Sequence, residues 1–269
     1  MEQKRTIKLL ALDLDNTLLT SKKTISCQSK QALKACEKAG IRVITASGRL
    51  YRSQINFTSQ LSQHIQNNWH VCNGGGGLYC GQELMWRTKG FAPELFLRII
   101  NKIRQTPLFY FVDTVSEVFY EKDLRIQPSQ TAEKLLQQTY IRPVNNAEEI
   151  SHPVRIVFYC RNGWEVSLAH EIQEEGARSY DAGDKVVEIA PKALNKFEAL
   201  KEVCRHYHIP MDQVTAVGDD ENDLEMIQEA GLGIAMQNGT SKIKEAADIV
   251  GQYDNDHEGV SNIIKHYIL

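Results

Sequence analysis

The stretch that most constrains this chain is LLALDLDNTL, residues 9–18, where four consecutive apolar residues, Leu9 to Leu12, run into two aspartates two positions apart. A short, continuous apolar run suits a strand buried on both faces, as in the parallel sheet of an α/β fold. Such a strand places Asp13 and Asp15 at its carboxyl end. That is the edge where open α/β sheets bind ligands, because the connecting loops there can be polar without disturbing the core. Taken alone, an Asp-rich strand end is equally a solvated turn, since Asp and Asn favour turns and helix caps. Agreement with other stretches decides between the two.

After Leu18 a polar segment leads into ISCQSKQALKACEKAG, where Leu33, Cys36 and Ala39 recur at helical spacing and Gly40 stands just past the helix end. IRVIT, residues 41–45, follows as a second strand. Strand, helix and strand joined by short loops make a right-handed crossover with parallel strands. Ser47, Gly48 and Arg49 thereby fall at the same sheet edge as Asp13. A small hydroxyl residue followed by Gly gives an anion close backbone approach and donors, although Ser-Gly alone is loop punctuation. A helix within residues 53–64 and a strand at residues 69–72 then lead to NGGGG. No Lys-Ser/Thr pair follows the glycines, so this is not a nucleotide P-loop, and the expectation is a flexible exit from the core.

The pattern changes in the middle. PELFLRIINKIRQ is an amphipathic helix opened by Pro93, and FYFVDTVSEVFY, residues 109–120, alternates about a turn as an antiparallel hairpin. A strand at residues 154–160, a helix at 164–175 and two strands, ARSYD and KVVEIA, joined at Ala182-Gly183-Asp184, complete an α+β unit. We expect it to be inserted at residues 84–190 into a core made of residues 1–83 and 191–269. Phe109, Phe111, Tyr120 and Tyr159 read as core of its small sheet.

In the last third, Asn195 caps a helix that continues to about His208. Lys196 lies in its first turn, where a cation opposes the helix dipole, a misfit expected where function outweighs stability. By position alone it reads as a solvated surface lysine. VTAVGDDENDLEMI then places a β-rich run, Val214 to Val217, before Gly218-Asp219-Asp220-Glu221-Asn222-Asp223. Four acids within five residues repel one another unless they are solvated or gather round a cation. Acidic oxygens at a strand end suit Mg²⁺, whereas the spacing lacks the central Gly and twelfth-position Glu of an EF-hand. GLGIAMQNG, a helix at residues 240–247, IVG and a terminal helix add one more βα unit.

Composition narrows the partners. A formal net charge of -3 argues against non-specific binding to nucleic acid or acidic membranes. No apolar run approaches the ~20 residues that cross a bilayer, and MEQKRTIK lacks a signal-peptide apolar segment, so a cytoplasmic location is expected. Cysteines 27, 36, 72, 80, 160 and 204 have no CxxC spacing and read as reduced thiols. His206 and His208, near a helix end, suit the helix dipole and lack metal-type partners.

DLDNTLL, TASGR, NKFEAL, GDDENDLEMI and IAMQNGTSKIKEAADIV, in this order, resemble the haloacid dehalogenase (HAD) superfamily of phosphohydrolases, closely its Cof-type branch, subfamily IIB. The resemblance implies an α/β fold, a HAD-like Rossmannoid core with a central parallel sheet and an inserted α+β cap of type C2B that selects the substrate. It implies that Asp13 is the nucleophile and Asp15 the acid and base. Ser47 with Gly48, Lys196 and Asn222 would bind phosphate, with Thr17 supporting that loop. Mg²⁺ would be held by Asp13, the backbone carbonyl of Asp15 and Asp219, with Asp223 in support through water. Asn16 departs from the Gly of many members, but Asn tolerates unusual backbone angles and no loss of function is expected. The implied activity is Mg²⁺-dependent hydrolysis of a small phosphorylated metabolite, a sugar phosphate or a related compound. A phosphomutase or phosphotransferase of the same fold is the alternative. A non-catalytic phosphometabolite sensor is a third, disfavoured by the presence of Asp15 and by the large insertion.

Overall fold

A computed structural model of the chain describes residues 6–123, 126–159, 164–174, 176–181 and 186–269. The chain begins with β1 (Leu9–Leu12), α1 (Cys27–Lys38), β2 (Arg42–Thr45), α2 (Tyr51–Thr58), α3 (Gln63–Gln66), β3 (Trp69–Cys72), β4 (Gly77–Cys80) and β5 (Glu83–Arg87). It continues with α4 (Pro93–Arg104), β6 (Tyr110–Asp113), β7 (Val118–Glu121), α5 (Gln130–Leu135), β8 (Ile141–Val144), β9 (Arg155–Tyr159), α6 (Trp164–Glu174), β10 (Ala177–Asp181) and β11 (Val186–Pro191). It ends with α7 (Lys196–Tyr207), β12 (Val214–Gly218), α8 (Leu224–Glu229), β13 (Leu232–Ala235), α9 (Ser241–Ala246), β14 (Ile249–Val250) and α10 (Gly259–Ile263). Two compact units result, residues 1–87 with 195–269 and residues 88–194. The boundaries expected from sequence fall short of these. Strand β5 stays with the first unit, and the turn after β11, closed by the Leu194 N–H donating to the Pro191 carbonyl (2.9 Å), stays with the second.

The first unit holds a wholly parallel sheet in the order β14-β13-β12-β1-β2. Strand β1 is central and all four of its residues are buried. Leu10 and Leu12 pack into one core with Leu33 and Cys36 of α1 and Val260 and Ile263 of α10. Leu9 and Ala11 pack into the other with Ala199, Leu200 and Val203 of α7 and Met226 and Ile227 of α8. A strand covered on both faces has no polar position to alternate with, hence its continuous apolar run. Gly40 closes α1 at φ +78°, as its place in the sequence predicts.

Strand β3 departs from the simple crossover reading. It touches the parallel sheet through a single bridge, Ala46 to Val71, and opens an antiparallel sheet β3-β4-β5. The glycine run between β3 and β4 is not a flexible exit. Residues 73–75 form a tight turn with Asn73 at φ +51°, its N–H donating to the Arg49 carbonyl (2.7 Å). At Gly75, φ is +103° and an added Cβ would lie 2.0 Å from the Asn195 carbonyl oxygen. Close backbone packing, not mobility, is what this glycine provides.

In the second unit the sheet order is β10-β11-β9-β6-β7-β8, antiparallel except for the pair β7 and β8. Phe96, Ile99, Ile100 and Ile103 of α4 cover one face, against Tyr110, Val112, Ile156, Phe158, Val187 and Ile189. Phe111 and Tyr159 alternate with those residues and so occupy the opposite face. Phe109, Phe111, Tyr120 and Tyr159 make a ring-to-ring chain with centroids 5.3 to 6.4 Å apart. Only Phe111 of the four is buried, so the reading of these rings as core is corrected. Arg155 lies on the same face, donating from Nε and Nη2 to Asp113 Oδ2 (2.9 and 2.6 Å) and from Nη1 to Glu188 Oε2 (2.9 Å). The expected turn at residues 182–184 and Cys160 lie outside the described residues. No helix among the described residues is long and apolar enough to cross a membrane.

Candidate functional site

Sheet register assembles the site. Leu12 stands opposite both Val217 and Thr45. One step further, the Asp13 N–H donates to the Val217 carbonyl (2.9 Å), the Ala46 N–H to that of Leu12 (2.8 Å) and the Met236 N–H to that of Gly218 (2.9 Å). Asp13, Ser47 and Asp219 therefore leave the sheet at one edge. Connections from β1 and β12 run in opposite directions across the sheet, so this edge opens into a crevice.

The chain leaves β1 through a wide turn, with the Leu19 N–H donating to the Leu14 carbonyl (2.8 Å). Asp15 is extended within it (φ -74°, ψ 130°) and Asn16 is left-handed (φ 56°, ψ 9°). Asn accepts this conformation better than most residues, as expected for the position. The Asn16 carbonyl accepts from Asn238 Nδ2 (2.8 Å). Asp13 is buried, whereas the Asp15 side chain is 33% exposed.

Asp13, Asp219 and Asp223 are all buried, and each offers a carboxylate oxygen within 4.8 Å of the others. Lys196 donates from Nζ to Asp13 Oδ1 (2.6 Å), Asp223 Oδ1 (2.6 Å) and Asn222 Oδ1 (3.0 Å). Its side chain is 1% exposed, so the surface reading of this lysine is overturned. Partners far away in sequence give it what its helix position denies it. Asn195 places it, the cap side chain accepting from the Glu198 N–H (2.8 Å). Thr17 Oγ1 donates to Asp219 Oδ1 (3.0 Å), and Asp223 Oδ2 accepts from the Asp219 and Asp220 N–H groups (3.1 and 3.4 Å).

Three buried carboxylates lie round one ammonium that bonds two of them, Asp13 and Asp223, and their protonation equilibria shift accordingly. Burial pushes Asp13 well above the ordinary carboxylate range; Lys196 opposes the rise and Asp223 and Asp219 add to it. Burial, then the charge of Asp223, pushes Asp219 up to about 7, against the Thr17 hydrogen bond and Lys196. Burial alone would lower Lys196, but the charges of Asp13 and Asp223 outweigh it and hold the ammonium above the usual lysine value. An uncompensated cluster of hard oxygen donors fits a divalent cation.

Asp15 lies outside this cluster. Its Oδ2 accepts from Arg49 Nε (2.6 Å) and its Oδ1 from Arg49 Nη2 (2.7 Å) and Lys23 Nζ (2.7 Å). Burial works to raise this carboxyl, but the hydrogen bonds from Arg49 and Lys23 hold it below the ordinary range. Ser47 is buried and its Oγ accepts from the Arg49 N–H (3.1 Å), with Gly48 between them. Thus Asp13, Thr17, Lys196, Asp219, Asn222 and Asp223 are joined by direct hydrogen bonds. Ser47 and Gly48 reach Asp15 through Arg49. Sequence reasoning assigned no role to Lys23, Arg49 or Asn238. Arg49 was at least placed at this edge by the SGR run.

A family model described as haloacid dehalogenase-like hydrolase matches residues 10–264. The chain is 26% identical over 292 residues to Phosphatase YwpJ of Bacillus subtilis, covering 97% of this chain and 100% of the relative. It is 27% identical over 268 residues to 5-amino-6-(5-phospho-D-ribitylamino)uracil phosphatase YitU of the same organism, covering 96% and 97%. The crystal structure of a haloacid dehalogenase-like hydrolase from Bacteroides thetaiotaomicron superimposes with a TM-score of 0.79 at 26% identity, covering 96% of this chain and 98% of that one.

Proposed function

The chain belongs to the haloacid dehalogenase-like hydrolases, in their Cof-type branch, and from that premise we propose that it is a Mg²⁺-dependent phosphatase of small phosphorylated metabolites, sugar phosphates or related compounds, acting through Asp13. One observation carries the reading. A buried aspartate tied to a buried lysine inside an acidic cluster stands two residues from a second aspartate in quite different surroundings. Paired acids with divergent environments divide their roles; in the metal-free protein Asp13 is the raised member and Asp15 the lowered one, and a cation bound at Asp13 would ionise it as a nucleophile.

Asp13 and Asp219, with the Asp15 carbonyl, would hold the divalent cation, and Asp223, whose oxygens are engaged by Lys196 and by the Asp219 and Asp220 N–H groups, would support it through water. When bound it supplies positive charge where an anionic nucleophile must meet an anionic substrate. Oxygen-only donors favour Mg²⁺ over softer metals. Lys196 anchors one Asp13 oxygen, and the other attacks phosphorus while the bond from phosphorus to the leaving oxygen breaks. Asp15, which Arg49 and Lys23 keep ionised before substrate binds, would take up a proton as the substrate draws those donors away and hand it to that oxygen. Water then attacks the aspartyl phosphate, Asp15 takes its proton, and the bond to Asp13 breaks to release inorganic phosphate. Splitting hydrolysis in this way replaces one difficult displacement by two easier ones. Ser47, Gly48, Asn222 and Lys196 would hold the phosphoryl oxygens, while Thr17 orients Asp219. The inserted unit takes the substrate-selecting cap role that the family resemblance implies.

The test is phosphate release from 4-nitrophenyl phosphate, with Mg²⁺ and with EDTA. Activity present with Mg²⁺, lost with EDTA and lost in Asp13→Asn is expected. Turnover retained by Asp13→Asn contradicts the nucleophile. Transfer to an added sugar in preference to water assigns a phosphotransferase instead.

A further inference from the structure

Resting on the phosphatase reading, we propose that Lys23 and Arg49 form a second anion subsite beside Asp15, which recognises a carboxylate or second phosphate on the leaving group. The substrate would then be a phosphorylated metabolite with a further anionic group, not a neutral sugar monophosphate.

In the buried cluster carboxylates outnumber the lysine, and a divalent cation would restore the balance. On the Asp15 side the imbalance is reversed. Two permanent cations converge on one carboxylate, so one unit of positive charge is left that Asp15 does not cancel. Among the described residues Asp15 is the acid that bonds both cations directly; the charge of Asp13 acts on Arg49 as well, but more weakly and without a hydrogen bond to it. Arg49 spends its remaining Nη1 on Ser53 Oγ (3.0 Å), and its guanidinium lies over the Phe57 ring, 4.9 Å from the centroid. The Phe57 contact and two-pronged grip fix the fork, which suits planar anions. Lys23 is 47% exposed and held by a left-handed backbone (φ 56°), in a loop tied back by the Thr20 N–H donating to the Thr24 carbonyl (2.9 Å).

Position gives this charge a purpose. Asp15 must touch the leaving oxygen, so whatever that oxygen carries lies next to the groups that hold Asp15. A neutral polyol would leave the extra cation unused. An anionic substituent would pair with it and could take over donors that Asp15 now occupies. The charge of Lys22, the neighbouring lysine, acts weakly on Asp256, whose carboxyl is kept low first by its bonds to Ser21.

Two matched pairs of substrates test the subsite on the whole protein with Mg²⁺. They are glycerol 3-phosphate against 3-phosphoglycerate, and fructose 6-phosphate against fructose 1,6-bisphosphate. The anionic member of a pair should have a kcat/KM about tenfold or more above its partner. Lys23→Met should collapse that ratio towards one, while Lys22→Met keeps it. A ratio at or below one in both pairs, or a ratio that Lys23→Met leaves unchanged, overturns the proposal. So does cleavage of 4-nitrophenyl phosphate without turnover of either anionic compound. Loss of 4-nitrophenyl phosphate cleavage in the native protein would instead sink the phosphatase reading itself.

Discussion

Lys196 Nζ lies 2.6 Å from Asp13 Oδ1 across 183 positions of sequence, and both residues are buried. This contact joins the two halves of the first unit, because Lys196 opens α7 and Asp13 follows β1. Breaking a buried pair leaves an uncompensated charge, so Lys196→Met should destabilise the metal-free protein by roughly 3–5 kcal/mol in urea unfolding. A divalent cation should restore more stability to this variant than to the native chain. A loss of under about 1 kcal/mol, the value of an exposed pair, would show that Lys196 is not held as described.

Thr17 is expected to act through Asp219. Thr17→Val removes the hydroxyl that donates to Asp219 Oδ1 and should weaken metal affinity by roughly 10–100-fold, read by Mg²⁺ titration of activity and by calorimetry. Thr17→Ser keeps the donor and should recover most of the affinity. Equal losses in both variants would point to packing instead.

The raised Asp219 sets a pH dependence in the metal-free protein. A carboxyl pushed up to about 7 in the fold, from about 3.9 when unfolded, binds its proton more tightly folded. Its contribution is fully present below the unfolded value and is lost as pH rises through the folded one. With EDTA present, thermal stability should therefore fall from about pH 4 to about pH 7, and Asp219→Asn should reduce the slope, the raised Asp13 accounting for what remains. Asp15, held low, titrates beneath this window. A slope unchanged by Asp219→Asn would count against the cluster as described.

Gly75→Ala probes how the glycine run places Lys196. The new Cβ would meet the Asn195 carbonyl oxygen at 2.0 Å, and φ is +103°. Overpacking against backbone together with a left-handed conformation should cost at least about 2 kcal/mol. Gly81→Ala has open space round its Cβ at φ +55° and bears only the conformational penalty, so it should cost less. Equal costs would remove the packing role.

The parallel strands and the acids at their ends were legible because each acid follows an apolar run, and the run marks where the sheet stops. Asp13 and Asp219 needed only that rule. Lys196 did not, since its partners lie far away in sequence and local logic places a first-turn lysine in water. Lys23 was missed because it sits in a polar loop with no period. In the second unit, β8 was hidden by Pro143, which is tolerated there because the strand is an edge. The aromatic rings misled because alternation tells which residues share a face, not which face a helix covers.

Under this mechanism Asp13 is transiently phosphorylated during each turnover. Acid quenching during turnover of 4-nitrophenyl phosphate, followed by borohydride reduction and peptide mass spectrometry, reads it directly, because reduction of an aspartyl phosphate leaves homoserine. Homoserine at position 13, dependent on substrate and on Mg²⁺, is the predicted result. Full turnover with Asp13 unmodified at every quench time would contradict it.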